Sequence, residues 1–548
     1  MTIHKRSRLS KGTPIALVAL GVIAFAVTAK ENQAAPVAVA ASAPSATYQP
    51  AVATSADFAA ARLVQTAAAV APVETVYSPD LVEVAIAKMS PTVAAHASMG
   101  GAETVPVIVR YDDAPELFEN ERLRRMGGEV VRRFDRLGLL AVRLPAGALI
   151  DLAISDSVRR VSLDAPIKAT RSAYKDTVGA PLSDSYNGQL TGRRVGVAVV
   201  DSGVARHGDL RSSIRQYDFV GGKYPRPEVE YEDDDDDEEE EEWEIDEYNS
   251  SPRGDAYGHG TLVASLIAGS GKHSSGKKYR GLAPGAKLLS LRVLDSDGNG
   301  ETSDAIAALN WLLEYGPAFN VRVANLSVGK AVEEAYDSDP LVAAVEAVWD
   351  SGITVVVAAG NHGRDGNMTV TSPGNSPKVI TVGSLTDNGT SDPSDDYVST
   401  YSSVGPTLID HVMKPDLLAP GNRLVGAIGD NATLRTDLGE RLVNCDASYC
   451  HDDYLEMSGT SMATPVVAAT AALMIQKNPD VMTPDIIKAR LMTTARKIDG
   501  EPAATGAGVI DIDAALDAVV APALAAKSPK VKRKGTADAP RVEVEDIS

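Results

Sequence analysis

The sequence predicts an α/β protein: a large domain with a mostly parallel sheet flanked by helices, preceded by a small ferredoxin-like α+β domain. Three observations carry this. From Arg194 onward, short apolar runs alternate with longer runs of helical character, as strands and crossover helices do around a parallel sheet. Between residues 102 and 170 such runs follow the order β-α-β-β-α-β. The chain has 548 residues, of which 44% are hydrophobic. That exceeds the roughly 100–200 residues of one domain and allows a sizeable core.

Taken in order, residues 1–29 read as an export signal. His4, Lys5, Arg6, Arg8 and Lys11 precede an uncharged apolar run from Ile15 to Ala29, which exits through Val27-Thr28-Ala29. The run is 15 residues long, short of the roughly 20 a spanning helix needs. A cleaved signal and an exported protein are therefore expected, with an N-terminal membrane anchor as the alternative. No later segment is apolar enough to span. Residues 30–101, rich in Ala, Pro and Val, read as a leader or linker. In the small domain, strands are expected at Val105–Arg110, Gly128–Arg133, Gly138–Leu144 and Arg159–Leu163, and helices at Ala114–Met126 and Ala146–Ala153. A polar connector, Lys168–Lys175, leads to the large domain at 171–520. There, strands are expected at Val195–Val200, Lys287–Val293, Val323–Ser327, Thr354–Ala359 and Val379–Val382. Helices are expected at Gly260–Ala268, Asp304–Leu313, Pro340–Trp349, Thr464–Gln476 and Thr483–Thr494. Residues 521–548 read as a disordered tail.

The net charge of −21 is mostly local. Residues 230–247 hold fifteen Asp or Glu and no Lys or Arg, and without them the chain carries −6. This acidic insertion, 228–247, reads as a solvated spacer, a loose calcium binder or an attractor of basic substrates. No basic stripe interleaved with aromatics exists, which argues against a nucleic-acid partner. The two cysteines, Cys445 and Cys450, suit a loop-closing disulfide in an exported protein, with two free thiols as the alternative. They do not suffice for a metal site. Asp295–Gly300, D-S-D-G-N-G, begins like a calcium loop, but Ile306 stands where its bidentate Glu belongs.

Three segments carry chemistry. V-G-V-A-V-V-D-S-G ends a buried strand in Asp201, G-H-G-T-L-V-A presents His259 before a helix, and S-G-T-S-M-A-T-P presents Ser461 before another. Hydrolysing a peptide requires a nucleophile, a base for its proton and a group orienting the base, and Ser, His and Asp supply all three. Each segment alone reads as an ordinary turn or structural histidine. An aspartic-protease site would need two such carboxylates sharing a proton, and the other D-S-G, Asp350–Gly352, follows the helix-like run Pro340–Trp349 and not a strand. The G-x-S-x-G hydrolases run in the order Ser, acid, His, whereas here it is Asp, His, Ser.

That order and these words resemble the subtilisin-like serine proteases, the subtilases. D-S-G at Asp201, H-G-T-x-V-A at His259, A-A-G-N at Ala358–Asn361 and G-T-S-M-A-x-P at Gly459–Pro465 match. So do K-P-D-x-x-A-P-G at Lys414–Gly421 and G-x-G-x-[IV]-D at Gly506–Asp511. The resemblance covers roughly residues 175–520, and the small domain before it resembles the family's inhibitor propeptide. It implies that Ser461 attacks, His259 shuttles the proton, Asp201 holds the imidazolium and Asn361 donates to the oxyanion. It further implies that Ser327, Val328 and Gly329 pair with extended substrate and that Thr371 lines the primary pocket. His207 and Asp209 match a structural loop. Lys330 departs from the small residue many relatives carry there.

The function expected is therefore an exported serine endopeptidase working through an acyl-enzyme, matured by autocleavage within 165–178. Its partners would be polypeptide substrates and its own prodomain (102–170) as an intramolecular inhibitor. The chemistry needs no cofactor; a structural calcium is left open, with no ligand set to be read. A protease dedicated to one partner protein is the alternative. A catalytically silent binding protein would show a substituted triad, and none is seen.

Overall fold

The computed structural model describes residues 77–169, 190–227, 253–443, 453–518, 527–534 and 541–545, apart from single positions 116, 212 and 391. The export signal, the acidic insertion and both cysteines lie outside these residues, as does most of the expected autocleavage window.

The small domain starts earlier than its sequence suggested. Helices α1 (Pro79–Ala87) and α2 (Pro91–Met99) lie in the stretch read as leader, yet Ala85, Met89, Val93 and Ala97 are buried in the domain's core. Each helix opens on a serine N-cap followed by proline, Ser78-Pro79 and Ser90-Pro91. Proline's missing N–H and fixed φ suit that first position. Then follow β1 (Thr104–Tyr111), α3 (Leu117–Arg125), β2 (Glu129–Phe134), β3 (Leu139–Pro145), α4 (Leu149–Ala153) and β4 (Val158–Leu163). Their sheet runs β2-β3-β1-β4, antiparallel throughout, as the β-α-β-β-α-β order required.

Successive strand residues point to opposite faces, and this sheet uses both. Val107, Val109, Leu140, Val142 and Leu144 pack with α1, α2 and α4. Ile108, Phe134, Leu139 and Ala141 turn the other way and join the core of the large domain.

Beyond β4, residues Pro166–Ala169 form a further strand, β5, whose last two residues open the expected polar connector Lys168–Lys175. The large domain contains β6 (Gly196–Asp201), β7 (Arg215–Asp218), α5 (His259–Ala268), β8 (Lys287–Arg292), β9 (Asn299–Glu301), α6 (Thr302–Tyr315), β10 (Val321–Leu326), β11 (Val328–Gly329), α7 (Pro340–Asp350), β12 (Thr354–Ala358), β13 (Ile380–Thr386), β14 (Tyr397–Val398), β15 (Leu417–Pro420), α8 (Thr460–Lys477) and α9 (Pro484–Thr494). The central sheet runs β14-β13-β12-β10-β6-β8-β7, with β15 also beside β13. Every pairing in it is parallel except β13 with β14. A parallel sheet is covered on both faces, so β6, β12 and β13 are buried at every residue. The α8 helix is buried from Thr460 to Ile475, which explains its nearly unbroken apolar sequence.

The tail also departs from expectation. Ser528 is fully buried, its N–H donates to Pro377 O at 2.8 Å, and Met413 N donates to Pro529 O at 2.8 Å. The Ser528 hydroxyl joins a buried cluster of Lys488 (3.0 Å), Asp416 and Lys414. Lys530–Lys534 then pairs antiparallel with Arg541–Glu545.

Candidate active site

In a parallel sheet the loops at the carboxyl ends of the strands collect the functional groups. Asp201 is the last residue of β6, Ser327 follows β10, and Asn361 lies three residues past β12. Helices α5 and α8 bring His259 and Ser461 to the same end from their first turns.

His259 and Asp201 are both fully buried, with His259 Nδ1 at 2.8 and 2.9 Å from the two Asp201 carboxylate oxygens. That contact fixes the ring and leaves Nε2 buried, without a hydrogen-bond partner among the described residues. Two side chains outside the sequence reading build this contact. Ser202 Oγ accepts from Gly260 N at 2.9 Å and donates to Asp201 Oδ1 at 3.2 Å. Asp255 accepts from Gly258 N (2.7 Å), Thr261 N (2.8 Å) and Thr261 Oγ1 (2.6 Å), clamping the first turn of α5. Burial raises the Asp255 pKa despite these donors. Its sequence position gave no signal, since it stands three residues before the N-cap of α5, Gly258. Gly260 has to be glycine: a Cβ there would lie 2.2 Å from Gly203 O and 3.1 Å from Asp201 Cβ.

Ser461 Oγ donates to Ser327 O at 3.2 Å, and Ser327 Oγ donates to Ser461 O at 3.1 Å. Asn361 Oδ1 accepts from Thr460 N at 2.9 Å and Thr460 Oγ1 at 3.1 Å. With the oxygen held, Nδ2 is buried and lacks a partner among the described residues. An oriented amide donor thus lies beside the first turn of α8, where helix N–H groups have no intrahelical acceptors.

Strand β5 lies across this site. It pairs antiparallel with β11 on one side (Ala169 with Val328, Lys168 with Gly329) and with β9 on the other (Lys168 with Asn299, Ile167 with Gly300). Ile167 is fully buried between them, which by itself stabilises the contact by roughly 1.5–3 kcal/mol. Thr371 is buried against Gly329 and Gly360, where a Cβ would meet its side chain at 2.8 and 2.9 Å. Lys330 does not place a free charge at the rim: its Nζ is buried 3.2 Å from Asp339, which also accepts from Ser372 Oγ at 2.7 Å. Burial alone would lower the Lys330 pKa; Asp339, with Glu334 and Glu333, outweighs it and raises it.

The other singled-out residues have local roles. Asp295 Oδ1 accepts from Asp297 N (2.9 Å) and Asn299 N (3.0 Å), so the calcium-like loop is a self-capped turn. His207 Nε2 contacts Asp453 O at 3.1 Å, and Asp209 holds His273 N at 2.8 Å and the Tyr454 hydroxyl.

Residues 192–508 match the Subtilase family of peptidases. The chain belongs to the subtilase family. Its relatives include serine protease AprX of Bacillus subtilis (strain 168), 36% identical over 71% of this chain and 83% of that protein. Subtilisin NAT of Bacillus subtilis subsp. natto is 31% identical over 71% of this chain and 83% of its own length. Among solved structures, the subtilisin-related fervidolysin of Fervidobacterium pennivorans aligns over 77% of this chain with a TM-score of 0.58. At 21% identity that likeness speaks to fold, and the match spans 62% of the fervidolysin chain, less than two thirds of it. The subtilisin-like fold and the serine-protease family expected from the sequence are thereby established. Among the described residues no helix is long and apolar enough to cross a membrane.

Proposed function

We propose that this subtilase is an exported serine endopeptidase that cuts itself between its N-terminal domain and its peptidase domain. In this reading Ser461 Oγ attacks the scissile carbonyl while His259 Nε2 takes its proton. Asp201, bonded to Nδ1, fixes the tautomer and stabilises the imidazolium. Asn361 Nδ2 and the backbone at the start of α8 receive the oxyanion. The acyl-enzyme is then hydrolysed with His259 again as the base. Serine, histidine and aspartate suffice for each step, so the chemistry needs no cofactor. Export rests on the basic start and apolar run of residues 1–29.

The observation that carries this reading is β5. A segment of the chain itself is seated as an added strand between β9 and β11, leading toward Ser461, as an extended peptide docks on an open sheet edge. It supports an N-terminal domain that acts as inhibitor and first substrate. The last residue of the strand, Ala169, pairs with Val328, next to Ser327, whose carbonyl holds Ser461 Oγ. We therefore expect the cut at Thr170–Arg171, within the window expected from the sequence. Expression of the full chain followed by N-terminal sequencing tests this: wild type should yield a peptidase domain starting at Arg171, and Ser461→Ala should accumulate uncut. Self-cleavage of purified Ser461→Ala at the wild-type rate would refute the assignment.

A further inference from the structure

The N-terminal domain touches the peptidase domain at a second place, away from the cleft. Arg132, on β2, is directed into the peptidase domain, with its side chain 4% exposed and that of its partner Asp304 3% exposed. Its Nη1 donates to Ser303 O at 2.8 Å, and its Nη2 donates to Phe219 O at 2.6 Å and Asp304 Oδ1 at 2.6 Å. All three acceptors belong to the peptidase domain. Phe219 just past β7 is held there by its own N–H bond to Arg292 O at 2.9 Å, and Ser303 and Asp304 open α6.

A guanidinium at this point runs against the helix dipole, whose N-terminal end repels cations. The dipole therefore does not explain it, and the contact depends on the Asp304 carboxylate and two carbonyls matching the planar fork of an arginine. A register shift in the β2–β3 pairing falls between Val130 and Arg132. Such bulges re-aim side chains, and here Arg132 lies on the same face as Phe134, which enters the large core. The rest of the first turn of α6 is engaged from the same side: Ser303 N donates to Asp164 Oδ1 at 2.8 Å and Thr302 N to Ala165 O at 3.0 Å.

We propose that Phe219 O, Ser303 O and Asp304 form a guanidinium socket on the peptidase domain, an exosite that retains the N-terminal domain by Arg132 after the connecting chain is cut. The ligand class is an arginine side chain presented on a strand, and the partner is the chain's own released segment. The inference rests on the inhibitor reading above, but its test does not need proteolysis by this protein. Cutting the connection removes the tether and leaves the β5 strand, the apolar contact through Ile108, Phe134, Leu139 and Ala141, and the socket to hold the two parts together. Release would then be governed by the socket as well as by the cleft.

The test uses the full Ser461→Ala chain with a recognition sequence for an unrelated site-specific protease inserted between residues 175 and 185. After cutting, the dissociation constant of the two parts is measured by sedimentation, with thermal unfolding of the uncut chain as the folding control. Breaking a buried ion pair by removing one partner is a large effect, so Arg132→Ala should weaken retention by roughly 10²–10³-fold. Arg132→Lys keeps the charge without the fork and should recover only part of this. If Arg132→Ala does not fold, Arg132→Lys decides: weaker retention supports the socket, and wild-type retention overturns it. Self-cutting by the Ser461→Ala chain itself would instead count against the catalytic assignment and leave the retention measurement interpretable.

Discussion

At the scale of single residues, the site is a set of side chains each with one face already engaged. Asp201 holds His259 from one side so that Nε2 is left over; Thr460 holds the oxygen of Asn361 so that Nδ2 is left over. A buried donor kept without a partner is destabilising unless something fills its place during function. For Asn361 the proposed mechanism makes the oxyanion the missing acceptor. Asn361→Ala should therefore lower kcat by about 10²–10³-fold with a much smaller change in KM, read by steady-state kinetics on a peptide substrate. Equal losses in binding and turnover would assign Asn361 to substrate binding instead. Asp201, His259, Ser461 and Asn361 stood out as candidates because each lies in a distinctive word of sequence. Asp255 and Ser202 did not, because their function is to hold a turn, and only three-dimensional proximity shows which turn.

Among the elements, those legible in sequence are the ones whose own pattern decides them. The apolar runs of β6, β10 and β12 and the long buried α8 needed no partner to be recognised. Strand β5 did: Pro166–Ala169 has no alternation worth reading, and it is extended because β9 and β11 pair with it from both sides. Helices α1 and α2 were hidden by an Ala-rich composition with little periodicity, although their Ser-Pro starts were visible. The connection from β4 to β5 carries a titration. Asp164 accepts from Ser303 N at 2.8 Å, yet burial pushes its pKa up to about 6 from an ordinary 3.8, with the Ser303 hydrogen bonds opposing. In that window the folded chain keeps a proton that the unfolded chain has released. This group's contribution to stability is thus present at low pH and lost as pH rises toward 6. In the Ser461→Ala background, Asp164→Asn should flatten the fall in melting temperature between about pH 4 and 6. An unchanged slope would place the titrating group elsewhere.

For the molecule as a whole, the two folded parts share one interface with several independent attachments, and the C-terminal segment belongs to the fold. Lys414 and Lys488 share the single carboxylate of Asp416, all three fully buried, and Ser528 closes the cluster. Burial pushes the Lys414 pKa down to about 7, although Asp416 opposes it. Composition suggested disorder after residue 520, since Ala, Lys and Pro carry no packing pattern of their own; among the described residues, Ser528 and Pro529 are held by what they cover. Ending the Ser461→Ala chain at residue 526 should expose that cluster and lower stability by about 1–3 kcal/mol, seen as an earlier thermal transition. A transition at the full-length temperature would make the segment dispensable.

The central claim is that Ser461 is a nucleophile activated by His259, and covalent labelling addresses it most directly. A fluorophosphonate reacts with a serine hydroxyl that is activated by a neighbouring base, and mass spectrometry of the digested protein locates the adduct. With the matured protein, the account predicts one adduct, on the peptide carrying Ser461, formed rapidly in wild type and lost in His259→Ala. A mature protein that takes up no label, or takes it up equally after His259→Ala, would contradict it.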